Sequence, residues 1–460
     1  MGAHRVSGFD MSISFRVICS LSYLTGRRRR CLEEDFLPFL QLVMGQLLSA
    51  MTQDVTADNL DPEELETRSD IHMVEVDSGW VAVRTAAVEE QASACQLVVL
   101  ISEKLQEHFY PYVESSVRAM VPLMESPHED VRSFTIVAMP EMVRATAKAT
   151  SPERETLTVL TEYITGVVIK SVETEGTLDL IMTGLQSLRQ MFVYMCTNWE
   201  ATRPFTTAEP PKPDPSISIP FLSETHMRAL TECATVVLRD SLQRRAVLRA
   251  EAQVSGNVDE DDAEDEENFQ LESMELHFNI AELLGTIFRT HGALFLGVYQ
   301  EVWHEATCTM AHKDCLKEDR QFAYFIMSDV IEFGLNTDSA SSYFEDVMPL
   351  LLDGCLMVDP GPRQTCAYAL GMAAEKYPVE FRPYATSALN ALASSIAQGE
   401  GEDEPRGQCT DNAVSAVGVI LEAVDVSRGD AFDNMRESFP YIWGQWLGYL
   451  PLQHDVVSFL

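Results

Sequence analysis

Apolar side chains recur at helical spacing along most of the chain, and this pattern predicts the fold class. Clear examples are the sets Tyr299, Trp303, Ala306, Met310 and Cys366, Leu370, Ala373, Tyr377. Steps of three and four residues place side chains on one face of an α-helix. No stretch alternates between apolar and polar residues for long enough to predict a sheet. The sequence therefore predicts an all-α protein.

The predicted helices come in pairs. The pairs are 36–51 with 84–105, 109–124 with 129–147, 152–172 with 177–197, 222–252 with 269–291, 294–311 with 317–334, 340–357 with 361–377, and 380–397 with 408–424, and 433–450 begins another. Without insertions a pair takes about 40 residues, the period of HEAT and armadillo arrays, and two helices per unit favour HEAT. One pair cannot bury its apolar face alone, so neighbours must stack. We predict a HEAT-repeat α-solenoid over residues 32–460, with about seven pairs and a partial last one.

Proline followed by an aromatic residue predicts where several of these helices begin. The signal occurs at Pro38-Phe39, Pro111-Tyr112, Pro383-Tyr384 and Pro440-Tyr441. Proline is tolerated in the first helical turn because the N–H groups there have no intrahelical partner. Residues 198–221 hold many more prolines, with Thr and Ser, and predict a stiff loop between repeats.

A dense run of carboxylates lies between two predicted helices, within an insertion at 253–270. Its acidic residues are Asp259, Glu260, Asp261, Asp262, Glu264, Asp265, Glu266 and Glu267. Like charges this dense repel one another and do not pack, so we expect a solvated, extended loop. The loop either attracts a basic partner or only keeps the chain soluble.

The charge of the whole chain narrows the class of partner. Lys and Arg number 33 against 71 Asp and Glu, which gives a formal net charge of −38. Such a chain attracts basic proteins and repels the phosphates of nucleic acid, so we predict no direct nucleic-acid binding. No apolar run approaches the roughly 18–20 residues that span a bilayer, so no membrane insertion is expected. The ten cysteines form no CxxC motif, which is typical of reduced intracellular thiols.

The best candidate for metal chemistry is the set His304, Cys308, His312 and Cys315. The first three are four residues apart, and His and Cys at that spacing can chelate zinc. However, Cys308 stands where a zincin motif requires a second His, and packing beside Trp303 explains the spacing without a metal. We predict no metal here, no cofactor and no enzymatic activity, because no nucleotide-binding loop or nucleophile motif occurs either.

Several longer stretches resemble one known family. They are Asp77-Ser-Gly-Trp80, Arg84 to Cys95, Asp319-Arg-Gln-Phe-Ala-Tyr-Phe-Ile-Met-Ser-Asp329-Val-Ile-Glu332, Tyr368-Ala-Leu-Gly371, Phe381-Arg-Pro-Tyr384, Val414-Ser-Ala-Val-Gly418 and Trp446-Leu-Gly-Tyr-Leu-Pro451. Their order and the acidic insertion resemble the importin-β superfamily, within it the importin-5 (karyopherin beta-3) branch. The resemblance covers about residues 32–455 and is to the carboxyl-terminal half of proteins about twice this length. Residues 1–31, with the run Arg27–Arg30, match poorly.

The resemblance implies a nuclear import receptor that shuttles between cytoplasm and nucleus. Such a receptor binds basic cargo through acidic inner surfaces, contacts Phe-Gly nucleoporins in grooves between helices, and releases cargo when Ran-GTP binds. Two alternatives stay open. A general HEAT scaffold would not bind Ran-GTP. An acidic chaperone that shields ribosomal proteins or histones would not bind Phe-Gly repeats.

Overall fold

A computed structural model describes residues 31–55, 71–76, 79–149, 154–194, 222–255, 260–399, 404–426 and 439–452. These residues fall into two compact units, Met1–Glu153 and Arg154–Leu460. The Arg27–Arg30 run and the Pro-rich loop predicted at 198–221 lie outside the described residues. None of the described helices is long and apolar enough to cross a bilayer.

The first unit is a set of helices with one β-hairpin. Its elements are α1 (Cys31–Met51), β1 (Ile71–Val76), β2 (Gly79–Arg84), α2 (Thr85–Leu105), a 3₁₀ segment (Gln106–Tyr112), α3 (Val113–Met120), a second 3₁₀ segment (Val121–Glu125) and α4 (Glu129–Lys148). Helix α2 packs against both α1 and α4. Buried Gln91 of α2 donates to the carbonyl of Met51 at 2.8 Å. Arg144 of α4 donates to the carbonyl of Glu103 at 2.9 Å, so polar bonds support the packing on both sides of α2.

The hairpin corrects the expectation that the chain holds no sheet. Strands β1 and β2 pair antiparallel, with Ile71 opposite Arg84 and Val76 opposite Gly79. Each strand has six residues, too short for a clear period-two pattern, but both are rich in valine, which favours strands. Buried Val83 packs with Val88 of α2, which anchors the end of the hairpin to the helices. The remaining described elements are helical.

The second unit continues the helical pairs. Its helices are α5 (Arg154–Thr174), α6 (Leu178–Tyr194), α7 (Glu224–Ser255), α8 (Glu260–His291), α9 (Ala293–Val302), α10 (His304–Met310), α11 (Lys317–Asp329) with a π-helical continuation (Val330–Gly334), α12 (Thr337–Gly354), α13 (Pro360–Lys376), α14 (Pro378–Phe381), a 3₁₀ segment (Arg382–Tyr384), α15 (Ala385–Gly399), α16 (Glu404–Val426) and α17 (Phe439–Leu447). These bounds follow the predicted pairs closely.

Within this unit the pairs stack in sequence order and form two layers. The second helices α6, α8, α11, α13 and α16 each contact the next, and the first helices α5, α7, α9, α10, α12 and α15 form the other layer. Hydrogen bonds reinforce the packing within and between pairs: buried Trp303 Nε1 donates to the carbonyl of Thr231 at 3.2 Å. Tyr377 Oη donates to the carbonyl of Leu335 at 2.8 Å.

Ion pairs join the start of the second helix α11 to the two adjacent pairs. Arg245 Nη2 of α7 donates to both carboxylate oxygens of Asp319, at 2.7 and 2.8 Å. The next residue, Arg320, reaches Asp353 of α12 at 2.7 Å. Paired charges are the form in which burial of ionised groups is tolerated, and Arg320 is 6% exposed. The Asp-Arg dipeptide thus ties α11 to the pairs on either side.

Two sequence-based expectations need correction. Pro38 lies inside α1, which begins at Cys31 rather than at residue 36. The acidic run is not an extended loop, because α8 begins at Glu260 and includes Glu260–Glu267. Carboxylates near a helix N-terminus are favoured by the helix dipole, and Glu is a good helix former, so α8 propagates backward from its packed part. Asp259 lies outside the described residues.

Candidate binding surface

Three neighbouring second helices bring carboxylates and aromatic rings together. Helix α8 contributes Phe278 and Glu282, which are four residues apart. Helix α11 with its π-helical continuation contributes Phe325, Asp329 and Glu332, at spacings of four and three, and α13 contributes Tyr368. Such spacings put side chains on one helix face. We call these six residues the carboxylate surface.

Asp329 is the most enclosed carboxylate of this surface. It lies against Gly285 of α8, where a Cβ would stand only 2.8 Å from Asp329 Cγ. Its side chain is 19% exposed, and Arg289 Nη2 is 3.8 Å from its Oδ1. Burial raises the pKa of Asp329 to about 7; Arg289 opposes the rise, while Glu332 and Glu282 add to it. The carboxyl group therefore changes charge near neutral pH, unlike an ordinary aspartate.

Glu332 is held by the next helix. Tyr368 Oη donates to its Oε2 at 2.8 Å, and Lys376 donates to its backbone carbonyl. Burial raises the pKa of Glu332, while the Tyr368 hydrogen bond and the charges of Arg289 and Lys376 lower it. Burial and the nearby Glu332 raise the pKa of Tyr368, so this phenol stays protonated and remains a donor.

A π-helical turn sets the direction of these side chains. The wider turn over Val330–Gly334 closes with the Leu335 N–H donating to the Val330 carbonyl at 3.0 Å. It places the ring of Phe333 beneath two cations, with Arg289 Cζ 5.0 Å and Lys376 Nζ 5.4 Å from the ring centre. Arg289 and Lys376 therefore stand at the edge of the carboxylate surface over an aromatic ring, a favourable cation–π arrangement.

An aromatic pair forms the other end of the surface. Phe278 is 51% exposed and meets Phe325 edge-on, with ring centres 6.2 Å apart. Glu282, one turn further along α8, forms an ion pair with Arg189 of α6. Exposed rings beside carboxylates suit Lys or Arg side chains, whose aliphatic stems pack on the rings while their charges meet the acids.

The structure places the predicted acidic run in the same helix as part of this surface. Glu260–Glu267 form the first two turns of α8, and Glu282 follows about 22 Å further along the axis at 1.5 Å per residue. The enclosure of Asp329 depends on Gly285, and that of Glu332 depends on Tyr368. Both partners are distant in sequence, so no local pattern could have indicated the enclosure.

The residues considered for zinc are occupied by other contacts. His304 Nε2 lies 2.9 Å from Asp346 Oδ2 and 3.9 Å from Cys308 Sγ. His312 and Cys315 contact neighbours in their own segment instead. Burial raises the pKa of Cys308 to about 11, which keeps its thiol protonated. Among the described residues no three His, Cys, Asp or Glu side chains are grouped to hold a metal.

Solved structures identify the fold of this chain. A crystal structure of a Kap121p mutant aligns with 99% of this chain and 38% of its own length, at a TM-score of 0.72 and 20% identity. Kap121p bound to Nup53p aligns with 97% of this chain and 38% of its own, at a TM-score of 0.71 and 19% identity. The predicted HEAT-repeat α-solenoid is thereby confirmed, and it has the karyopherin fold.

The sequence relatives carry the names of one importin branch. A probable importin-5 homolog from Dictyostelium discoideum is 22% identical over 447 residues, which cover 93% of this chain and 37% of the relative. Importin subunit beta-3 from Saccharomyces cerevisiae is 22% identical over 400 residues, which cover 86% of this chain and 34% of the relative. The family model for importin repeat 6 matches residues 217–312. The resemblance to the importin-5 branch of the importin-β superfamily is thus confirmed.

The matched relatives are longer than the sequence led us to expect. This chain spans little more than a third of their length rather than half. The repeat 6 match includes α7, α8, α9 and α10, and therefore the acidic run. That the chain corresponds to the carboxyl-terminal half of the relatives stays a prediction.

Proposed function

We propose that this chain is a nuclear import receptor of the importin-5 type, or a part of one. The observation that carries the proposal is the karyopherin fold over 99% of the chain, together with its acidic second-helix layer. Kap121p, which has the same fold, has been crystallised with Ste12p and with Pho4p, and with the nucleoporin Nup53p. A carrier of this kind works by binding and release rather than by catalysis, in both the cytoplasm and the nucleus.

The cargo we propose is a basic protein segment. The carboxylate surface supplies fixed acids and an exposed ring, and the acidic run adds a long-range field. The net charge of −38 attracts basic molecules before they touch a specific site. Fixed residues such as Asp329 and Glu332 would then give selectivity, because they are held by neighbouring helices.

The remaining partners of the proposed receptor are Ran-GTP and Phe-Gly nucleoporins. A pull-down with Ran-GTP, Ran-GDP, a Phe-Gly repeat fragment and a Lys/Arg-rich cargo peptide tests them together. We expect cargo and Phe-Gly capture, and less cargo when Ran-GTP is present. Absence of both cargo and Phe-Gly binding would contradict the proposal. Capture of cargo without Phe-Gly would favour the alternative of an acidic chaperone, which the high net charge also fits.

The acidic run gives a sharper test of cargo attraction. Replacing each Asp by Asn and each Glu by Gln from Asp259 to Glu267 removes eight charges with little change in side-chain shape. We expect slower association with a basic cargo at low salt, and a difference that shrinks as salt approaches physiological strength, where the Debye length is about 8 Å. Equal association rates at low ionic strength would leave the run with only a solubility role.

A matched control separates charge from position. Neutralising the exposed acids Glu89 and Asp179, which lie outside α8 in α2 and α6, changes net charge without touching the run. If both variants slow association equally per charge removed, the field of the whole chain is responsible and the run has no special part.

A further inference from the structure

Helix α17 and the turn after it expose several large apolar side chains close together. Tyr441 is 69% exposed and Leu447 56%, and Tyr449 and Leu450 of the following turn are 40% and 39% exposed. Single exposed apolar residues are ordinary on a protein surface. Several of them within one short segment form a patch, and patches of this kind mark interaction sites.

The opposite face of α17 is fastened to α16. Trp446 Nε1 donates to the carbonyl of Val414 at 2.8 Å. The Trp446 ring lies so close to Gly418 that a Cβ there would stand 2.7 Å from Trp446 Cζ2. Trp443 meets Trp446 edge-on, with ring centres 5.2 Å apart. These contacts fix the orientation of α17, so its outer face needs no reordering before a partner binds, which lowers the free-energy cost of binding.

The outer face of α17 has a notch at its centre. Steps of three residues place Tyr441, Gly444 and Leu447 side by side on the helix. Gly444 is exposed, and a Cβ built on it would have no atom within 4 Å. Gly448, also exposed, follows four residues later, and small residues at this spacing let two helix backbones approach closely. The same helix therefore carries a recess and, on either side of it, the apolar side chains that fit beside such a recess.

No charged residue interrupts this segment. Residues 438–453 contain no Asp, Glu, Lys or Arg, although the whole chain has a net charge of −38. Two copies of so acidic a chain repel each other wherever their carboxylates face, so a surface without charge is where they can meet. A basic or acidic partner would find no opposite charge on this face. The absence of charge therefore selects an apolar partner, and a second α17 has the matching shape.

We propose that the outer face of α17 is a docking site for a second copy of this chain. In a two-fold arrangement the two α17 helices cross at Gly444, and Tyr441 and Leu447 of each copy pack beside the notch of the other. Such an isologous contact uses one patch twice. A single short helix buries less surface than a standard interface, so we expect a dissociation constant of about 1–100 µM. The inference goes beyond the proposed function and does not depend on it.

Sedimentation velocity of the full chain at about 1 to 200 µM measures this association. We expect monomers to convert to dimers as the concentration rises. Raising the salt from about 0.05 to about 0.5 M should lower the dissociation constant severalfold, because salt screens the repulsion between the two acidic chains. A contact between opposite charges would weaken instead. A chain that stays monomeric at the highest concentration and salt, or a dimer that weakens as salt rises, would overturn the inference.

Glycine variants locate the contact without disturbing the fold. Gly444→Gln fills the notch, and its Cβ touches nothing in its own chain, so the monomer should melt no lower than the wild type. We expect its dissociation constant to rise by about tenfold or more. The matched control is Gly297→Gln in α9, an exposed helical glycine that also has no atom within 4 Å of a new Cβ, and it should dimerise as the wild type does. Leu447→Glu adds a like charge to the face and provides a second test.

A further variant tests a rival position for the contact. Helix α1 also has an exposed glycine with open space, Gly45, near the exposed side chains of Phe39 and Leu42. Dimers lost in Gly444→Gln and Leu447→Glu, and kept in Gly45→Gln, support the inference. Dimers kept in Gly444→Gln and Leu447→Glu show that the copies meet elsewhere and that the inference is wrong. Capture of cargo and Phe-Gly repeats is measured separately, so either result leaves the proposed function to its own test.

Discussion

The pKa of Asp329 makes a quantitative prediction about stability. In the folded chain burial raises this pKa from 3.8 to about 7, whereas in the unfolded chain it returns to the ordinary value. Between these two pH values the folded state holds a proton that the unfolded state has lost. The contribution of this group to the free energy of unfolding is therefore largest below pH 3.8, falls as the pH rises, and is smallest above pH 7. Asp329→Asn should remove this loss, because an amide stays neutral at every pH.

The size of the effect follows from the same interval. A difference of about three pH units corresponds to at most about 4 kcal/mol. The Asp329 side chain is 19% exposed and lies beside Arg289, so solvent and the positive charge of Arg289 reduce the free energy lost when the carboxylate is charged. We therefore expect Asp329→Asn to stabilise the protein by about 1–2 kcal/mol at pH 8 and by little at pH 5. For a unit of this size, that is a rise in Tm of a few degrees.

Differential scanning calorimetry of wild type and variant at pH 5, 6, 7 and 8 measures the prediction. Asp338→Asn is the matched control, because Asp338 is exposed at the start of α12 and its effect on Tm should not change over this range. A Tm difference for Asp329→Asn that is constant from pH 5 to 8, or an Asn variant that melts below wild type at pH 8, would refute the reasoning.

Three further predictions concern other parts of the second unit. Gly354→Ala should destabilise the protein by about 1–3 kcal/mol, because the new Cβ would collide with Cys366 Sγ. Gly297→Ala should stabilise it by up to about 1 kcal/mol, because no atom lies within 4 Å of the new Cβ and Ala favours a helix more than Gly does. Equal melting temperatures for the two variants would contradict this prediction. Burial and the charge of Arg245 lower the pKa of His277 to about 4. The free energy of unfolding should therefore fall as the pH drops from 6.5 toward 4, because the unfolded chain binds a proton that the folded chain does not. In thermal melts over this pH range, a His277→Gln variant should lose less stability than the wild type. Protein purified without added metal should contain no zinc by mass spectrometry; stoichiometric zinc that is lost in Cys308→Ala would show the prediction to be wrong.

Most of the helical architecture could be predicted because each helix carries its own apolar period. The predicted segment 129–147 is observed as Glu129–Lys148, and 361–377 as Pro360–Lys376. The hairpin was missed because two strands of six residues give too little alternation to detect. The prediction of an extended loop for the acidic run was wrong, because it considered only the repulsion between neighbouring charges. The helix dipole and the continuation of a packed helix stabilise the helical form of this run.

The carboxylate surface could not be predicted in the same way. The environment of Asp329 depends on Gly285, and that of Glu332 depends on Tyr368, and both contacts join different repeats. A one-residue change in how two helices align would separate each pair while leaving the apolar pattern of every helix unchanged. The information lies in the packing between repeats, which a period along one helix does not contain.

The π-helical turn after α11 has a consequence for how this chain tolerates insertions and deletions. A π-turn is an α-helix that holds one residue too many, so deleting one residue within Val330–Gly334 would restore ordinary α-helical winding. Because the wider turn already accommodates that residue, the deletion would leave α11 and the chain after Gly334 close to their present orientation, whereas a deletion inside α11 would turn everything beyond it by about 100°. The loss from the deletion would be local: either the Glu332–Tyr368 hydrogen bond or the packing of Gly334 on the ring of Phe288 would go. A single-codon deletion at this turn should therefore be better tolerated than one in the middle of α11.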